Sequence, residues 1–130
     1  MAMNDTIAAA LSKINNAEIA TKDTVQIRPF SKILLKILDI ANELGYIGKY
    51  EIIQDPKGGL LVVNLINKIN KCGVVKPRYS VSYKDFEKFE KRYLLSKDFG
   101  VLFVSTTKGI MTHKEAKRQQ LGGVLIAYMY

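Results

Sequence analysis

The chain has 130 residues, 48% of them hydrophobic, and only three prolines, which excludes a disordered tail and leaves room for one domain or two small ones. Its net charge is +8, unevenly placed: residues 1–65 hold seven basic and seven acidic side chains, whereas residues 66–130 hold thirteen and five. A neutral half joined to a basic half points to a polyanion facing one side of the molecule, with a solvated basic surface as the alternative.

Cys72 is the single cysteine, so an intramolecular disulfide and a cysteine-based metal site are excluded, and the residue is expected to be a small buried or half-buried hydrophobe. No basic region followed by an apolar run opens the chain, and no apolar segment approaches a membrane span. A cytoplasmic protein with no membrane contact is expected. Asn4-Asp5-Thr6 matches a glycan acceptor by letters but reads better as a helix start.

In chain order, Asn4 or Asp5 caps a first helix to about Asn16, with Ile7, Leu11 and Ile14 on one face. Thr24 to Arg28 alternates as a short strand that Pro29 ends. Ser31 caps a second helix, Lys32 to Leu44, whose stripe is Leu34, Ile37, Leu38, Ala41 and Leu44, and Gly45 closes it. The free N–H groups of its first turn, with Arg28, Ser31 and Lys32, form a candidate phosphate site, simple capping being the other reading. Tyr46–Gln54 and Leu60–Ile66 flank Asp55-Pro56-Lys57-Gly58-Gly59, a hairpin. The first half is thus an α-β-α-β-β unit.

Asn67 to Pro77 is polar, basic and interrupted, and reads as a linker. Arg78 to Tyr83 alternates, with Tyr79, Val81 and Tyr83 on one face. Residues 84–95 read as a helix that turns Phe86, Phe89 and Tyr93 inward, for core packing, and Lys84, Lys88, Lys91 and Arg92 outward. Val101–Val104 is a buried strand. Ser105-Thr106-Thr107-Lys108-Gly109 then forms an exposed loop, Thr112-x-x-Glu115 is a capping box opening a short helix, and Gly122-Gly123 stops that helix. A last strand runs from Val124 to Tyr130, assigned to core or docking. The expected fold class is α+β, with two small domains, 1–68 and 69–130, packed on each other or on a partner.

No catalytic residue and no cofactor is assigned. Asp98-Phe99-Gly100 matches a kinase tripeptide by letters, without a glycine-rich nucleotide loop or a catalytic-loop signature. His113, the only histidine, is expected to be exposed in the first turn of the short helix. A small hydrolase built on Ser105 and His113 lacks a nucleophile elbow. One histidine and scattered carboxylates make no metal site.

The stretch Ser-Thr-Thr-Lys-Gly-Ile-Met-Thr-His-Lys-Glu-Ala-Lys-Arg…Gly-Gly at 105–123 resembles the signature of ribosomal protein eight of the small subunit, in its archaeal/eukaryotic form. The resemblance runs end to end: Ser12…Asn15-Asn16, Pro29-x-Ser31-Lys32, Gly45-Tyr46-Ile47 and Lys76-Pro77-Arg78-Tyr79 are similar to the family, and residues 84–97 to its archaeal and eukaryotic members. Where bacterial relatives often carry Glu or Lys after the Gly-Gly, this chain has Val124. The resemblance implies early, direct binding to the central domain of small-subunit rRNA, help in folding the platform, and contacts with neighbouring small-subunit proteins. It also implies that the second domain makes most of the RNA contact through the Ser-Thr-Thr turn, and that the first adds backbone contacts. A free, RNA-binding translational regulator of its own messenger is the alternative. The protein is expected to be a monomer when free.

The expected RNA-binding residues are Ser105, Thr106, Thr107, Lys108, Gly109, Gly122 and Gly123, with Arg28, Ser31, Lys32, Lys76 and Arg78. Hydroxyls donate and accept, so the turn can read phosphates, 2′-hydroxyls and base edges in a shallow minor groove. A basic surface of Lys68, Lys71, Lys76, Arg78, Lys108, Lys114, Lys117 and Arg118 would supply attraction that carries little sequence information.

Overall fold

The computed structural model describes residues 6–28, 30–54, 56, 59–75, 79–94 and 100–130. The chain divides into two compact α+β units, Met1–Asn70 and Lys71–Tyr130. Among the described residues, no helix is long and apolar enough to cross a membrane.

In the first unit, helix α1 (Thr6–Ile19) buries Ile7, Ala10, Leu11, Ile14 and Ala17 along one stripe. It runs three residues past the expected end, because Ala17 and Glu18 are good helix formers and the stop signal lies beyond them. Thr21 takes the left-handed conformation, φ 57°. Its N–H reaches the Glu18 carbonyl at 3.1 Å, and Lys22 N–H reaches Ala17 at 2.9 Å, which satisfies two end carbonyls. The cap expected at Asn4 or Asp5 lies outside the described residues. Strand β1 (Thr24–Ile27) and helix α2 (Lys32–Glu43) follow. Gly45, at φ +83°, closes α2 in the same way, although Leu44 is exposed rather than part of the stripe.

Strands β2 (Ile47–Ile53) and β3 (Leu60–Leu65) complete an antiparallel sheet of order β1-β3-β2. The middle strand alternates, burying Leu61, Val63 and Leu65. Helix α1 packs on β1 and α2 on β2. The expected α-β-α-β-β order is therefore present; Asp55, Lys57 and Gly58 of the hairpin tip lie outside the described residues. Glu18 was not expected to matter: its carboxylate is buried and its Oε2 accepts the Ile69 N–H at 3.2 Å, tying the end of the unit to α1.

The second unit begins with a correction. The stretch read as a linker contains β4 (Cys72–Val74), paired with the last strand, β8 (Gly123–Met129), at Cys72–Met129, Gly73–Tyr128 and Val74–Ala127. Polar residues surround an apolar Cys-Gly-Val-Val run, and that run covers backbone groups of β8 that would otherwise lack partners. Gly73 lies under the Tyr128 ring: a Cβ there would come within 2.9 Å of the Tyr128 hydroxyl, and the tyrosine would have to shift. Cys72 is buried, as a small hydrophobe. Strand β5 (Ser80–Val81) pairs with the start of β8. Of the expected Arg78–Tyr83 strand, Arg78 lies outside the described residues, and the strand stops after Val81 because a 3-10 turn takes over at Tyr83.

Helix α3 (Phe86–Tyr93), strands β6 (Val101–Thr106) and β7 (Gly109–Thr112), and helix α4 (His113–Arg118) precede β8. The sheet order is β4-β8-β6-β7. Its core holds Val75, Val81, Phe86, Phe89, Leu94, Leu102, Val104, Ala116 and Leu125. Phe86 and Phe89 thus pack inward as expected. Each fully buried aromatic or aliphatic side chain contributes about 1.5–3 kcal/mol, enough to hold the two short helices on the sheet.

Candidate nucleic-acid interface

The residues expected to form a loop between a strand and a helix form something stiffer. Strand β6 continues through Ser105 and Thr106, and Gly109–Thr112 returns beside it, pairing Ser105 with Ile110 and Thr106 with Gly109. Only Thr107 and Lys108 turn. Gly109, at φ +111°, supplies the one left-handed residue, as in a type I turn closed by a glycine bulge. The missed signal was the alternation of Ile110 and Thr112 beyond the glycine.

The three hydroxyls are not equivalent. Thr106 Oγ1 donates to the Gly109 carbonyl at 2.8 Å and accepts from Lys108 N–H at 3.1 Å, so it locks the turn. Among the described residues, Ser105 Oγ and Thr107 Oγ1 have no hydrogen-bond partner. Thr107, Lys108 and Gly109 are exposed and Ser105 is half-buried at the base of the tip. The two uncommitted hydroxyls are therefore the groups available to a ligand.

Gly122 and Gly123 serve the hairpin differently from the expectation. They do not end α4; Gln120 does, with φ 57°, Gln120 N–H on Lys117 at 3.1 Å and Leu121 N–H on Ala116 at 2.9 Å. The glycines allow close backbone approach instead. A Cβ on Gly122 would lie 2.7 Å from the Val81 carbonyl oxygen, and one on Gly123 would collide with the Ser105 carbonyl. The start of β8 is thus pressed between β5 and the base of the hairpin. Val124, which follows, is half-buried and pairs with Ser105.

Helix α4 starts at Thr112, whose Oγ1 accepts the Glu115 N–H at 3.1 Å. The capping box is only half formed, since the Glu115 carboxylate turns to Arg118 and Gln119. Those two groups hold Glu115 below the usual carboxylate range. His113 is not exposed, as had been expected, but fully buried. Its Nδ1 accepts the Leu102 N–H at 3.1 Å, filling the place on β6 where β7 leaves the sheet. A nitrogen that accepts a backbone N–H carries a lone pair, which places the proton on Nε2. Nε2 lies 3.0 Å from Oε1 of buried Glu90, off the line of a hydrogen bond. Burial pushes the imidazole down to about 4, against the pull of Glu90, so it is neutral at pH 7.

Glu90 went unnoticed in the sequence, although 86, 89, 90 and 93 fall on one helical stripe. Its carboxylate also binds Lys117. Lys117 and Arg118, expected on the basic surface, are thus engaged by Glu90 and Glu115. Lys108, in the turn, and Lys114, on α4, remain exposed, with no ion pair among the described residues. Among the described residues, no group of three or more His, Cys, Asp or Glu is placed to hold a metal.

In the first unit, Ser31 and Lys32 open α2 and Arg28 follows β1. The Ser31 hydroxyl accepts the Leu34 N–H at 3.2 Å as a cap, Lys32 is exposed and Arg28 is half-buried. Lys76 and Arg78 lie outside the described residues, as does Asp98. The structure thus brings Ser105–Gly109 together with Gly123 in the second unit, and in the first it sets Ser31 and Lys32 at the opening of α2.

The second unit is thus basic, carries an exposed hairpin with two uncommitted hydroxyls, and buries the chain's one histidine. The family model described as ribosomal protein S8 matches residues 5–130. The chain belongs to the ribosomal protein S8 family, whose members are structural, rRNA-binding proteins of the small ribosomal subunit that serve translation and are not enzymes.

Proposed function

We propose that this protein binds the central domain of small-subunit rRNA early in assembly, helps to fold the platform there and touches neighbouring small-subunit proteins. It acts in the cytoplasm as an archaeal/eukaryotic-type member of its family and is a monomer before it joins the subunit. The observation that carries this reading is the pair of uncommitted hydroxyls, Ser105 and Thr107, on an exposed hairpin whose turn carries Lys108 and which leads into α4 with its exposed Lys114. Two lysines attract any RNA, whereas hydroxyls held at fixed positions discriminate between shapes. In this reading Gly109 keeps the backbone close to the RNA, Gly122 and Gly123 seat β8 against the base of the hairpin, and Arg28, Ser31, Lys32, Lys76 and Arg78 add phosphate contacts.

The test is binding of the purified protein to a central-domain rRNA stem and to a scrambled stem, titrated with salt. The reading expects tighter binding to the native stem, with the preference persisting as salt rises. Equal affinities that fall together with salt would leave only nonspecific attraction and refute it.

A further inference from the structure

Among the described residues, Glu90 is the one buried carboxylate of the second unit. It stands on α3, whereas both of its partners, His113 and Lys117, stand on α4. Those two are four residues apart and so leave the same face of that helix. Glu90 Oε2 is buried with no hydrogen-bond partner. A carboxylate buried with incomplete pairing is rarely more stabilising than an apolar side chain of similar size. Stability alone therefore does not account for an acid here, but fixing a register does.

What needs fixing is α4. It has six residues, too few to be stable by itself, and β7 passes into it at Thr112–His113 with no intervening loop. Any roll or slide of α4 is thus transmitted to β7 and to the hairpin tip. Three attachments resist it: the Leu102–His113 hydrogen bond, the Thr112 cap and the contacts of Glu90.

We propose that Glu90 is a positioning residue for RNA recognition, holding His113 and Lys117 so that α4 and β7 present Ser105 and Thr107 in one geometry. The inference rests on the reading of the hairpin as the RNA-binding element. Glu90 touches no RNA in this account. It also neutralises Lys117, so its removal has opposite effects on specific and nonspecific binding.

The experiment compares full-length variants on the native central-domain stem and on a scrambled stem. Glu90→Gln is expected to lose about tenfold in affinity for the native stem, a usual size for coupling between two sites. Its affinity for the scrambled stem is unchanged or higher, because Lys117 becomes available to phosphate. His113→Ala loses native-stem affinity likewise. His113→Gln, whose amide N–H takes the place of Nε2–H against Glu90 but leaves the Leu102 N–H without its acceptor, recovers part of that loss. Lys117→Met leaves Glu90 with the His113 contact alone, so it melts lower than the parent and is assayed below its melting temperature, where it loses about threefold on the native stem, equivalent to part of one hydrogen bond. Thermal melts show which variants are folded at the assay temperature; where Glu90→Gln or His113→Ala is not, Lys117→Met decides. The proposal is overturned if the folded variants bind the native stem like the parent, if both stems lose equally, or if His113→Gln is as weak as His113→Ala. A Ser105→Ala/Thr107→Ala variant run in parallel separates the two readings. If it binds like the parent, the hairpin reading fails and this inference with it; if it alone is impaired, only the role of Glu90 fails.

Discussion

Two places in the molecule combine hydroxyls with basic side chains, and the structure uses them differently. At the start of α2, the Ser31 hydroxyl is occupied by the Leu34 N–H and serves the helix. At the β6–β7 hairpin, Thr106 takes over the internal bonding, leaving Ser105 and Thr107 uncommitted. The same residue types thus cap a helix at one place and stay uncommitted at the other. What distinguishes them is which backbone donors remain unsatisfied nearby: a helix start offers its own N–H groups to the serine, whereas a paired hairpin has few left to offer.

The largest effect should come from wedging the hairpin away from β8. Gly123→Val forces a side chain into the Ser105 carbonyl. A loss of about 1–3 kcal/mol or more is expected in a denaturant melt, as for other overpacked sites, together with loss of native-stem preference. Next is the pair of hydroxyl substitutions that sets the two sites against each other. Ser31→Ala should cost about 0.5–2 kcal/mol of stability and leave the preference for the native stem nearly intact. Thr107→Ala should leave the melting temperature unchanged and weaken native-stem binding about twofold to tenfold, the worth of one hydrogen bond. Equal behaviour of the two variants would erase the distinction.

Acid should act on the frame beneath the hairpin. His113 titrates at about 4 when folded and at roughly 6.5 when unfolded. In that interval the unfolded chain binds the extra proton, so stability rises with pH. The contribution is complete above about pH 6.5 and is lost as pH falls toward 4, amounting to about 3 kcal/mol at most. The charges facing the ring are Glu90, Lys114 and Lys117. His113→Gln should flatten that part of the stability–pH curve. The smallest effect is electrostatic. Lys108→Met should lower the salt slope of binding by about 0.7–0.9, the value of one phosphate contact, whereas Lys117→Met, already neutralised by Glu90, should leave the slope unchanged.

Much of this architecture was legible in the sequence. The stripes of α1 and α2, the cap at Ser31, Gly45 as a helix stop and the inward Phe86 and Phe89 all follow from local periodicity and turn chemistry, which act within a few residues. The linker reading failed at Cys72–Val74 because three residues carry no period, and only pairing with Met129, far along the chain, makes them a strand. Gly122-Gly123 was misread for a related reason. Two glycines after a helix look like a stop, and nothing local shows that the backbone carbonyls of Val81 and Ser105 press on them. The burial of His113 and Glu90 was hidden because each compensates the other across two helices, a pairing that neither helix predicts alone. At the candidate site, the sequence placed the hydroxyls but not the division among them, which depends on the register of β6 against β7.

The most direct measurement is the affinity of the Ser105→Ala/Thr107→Ala variant for the central-domain stem and for its scrambled counterpart at one fixed salt concentration. The account predicts a loss of about tenfold or more on the native stem, from two hydrogen bonds of roughly 0.5–1.5 kcal/mol each, with scrambled-stem binding and the melting temperature unchanged. Native-stem affinity equal to that of the parent protein would contradict it, and would leave the basic surface as the sole basis of binding.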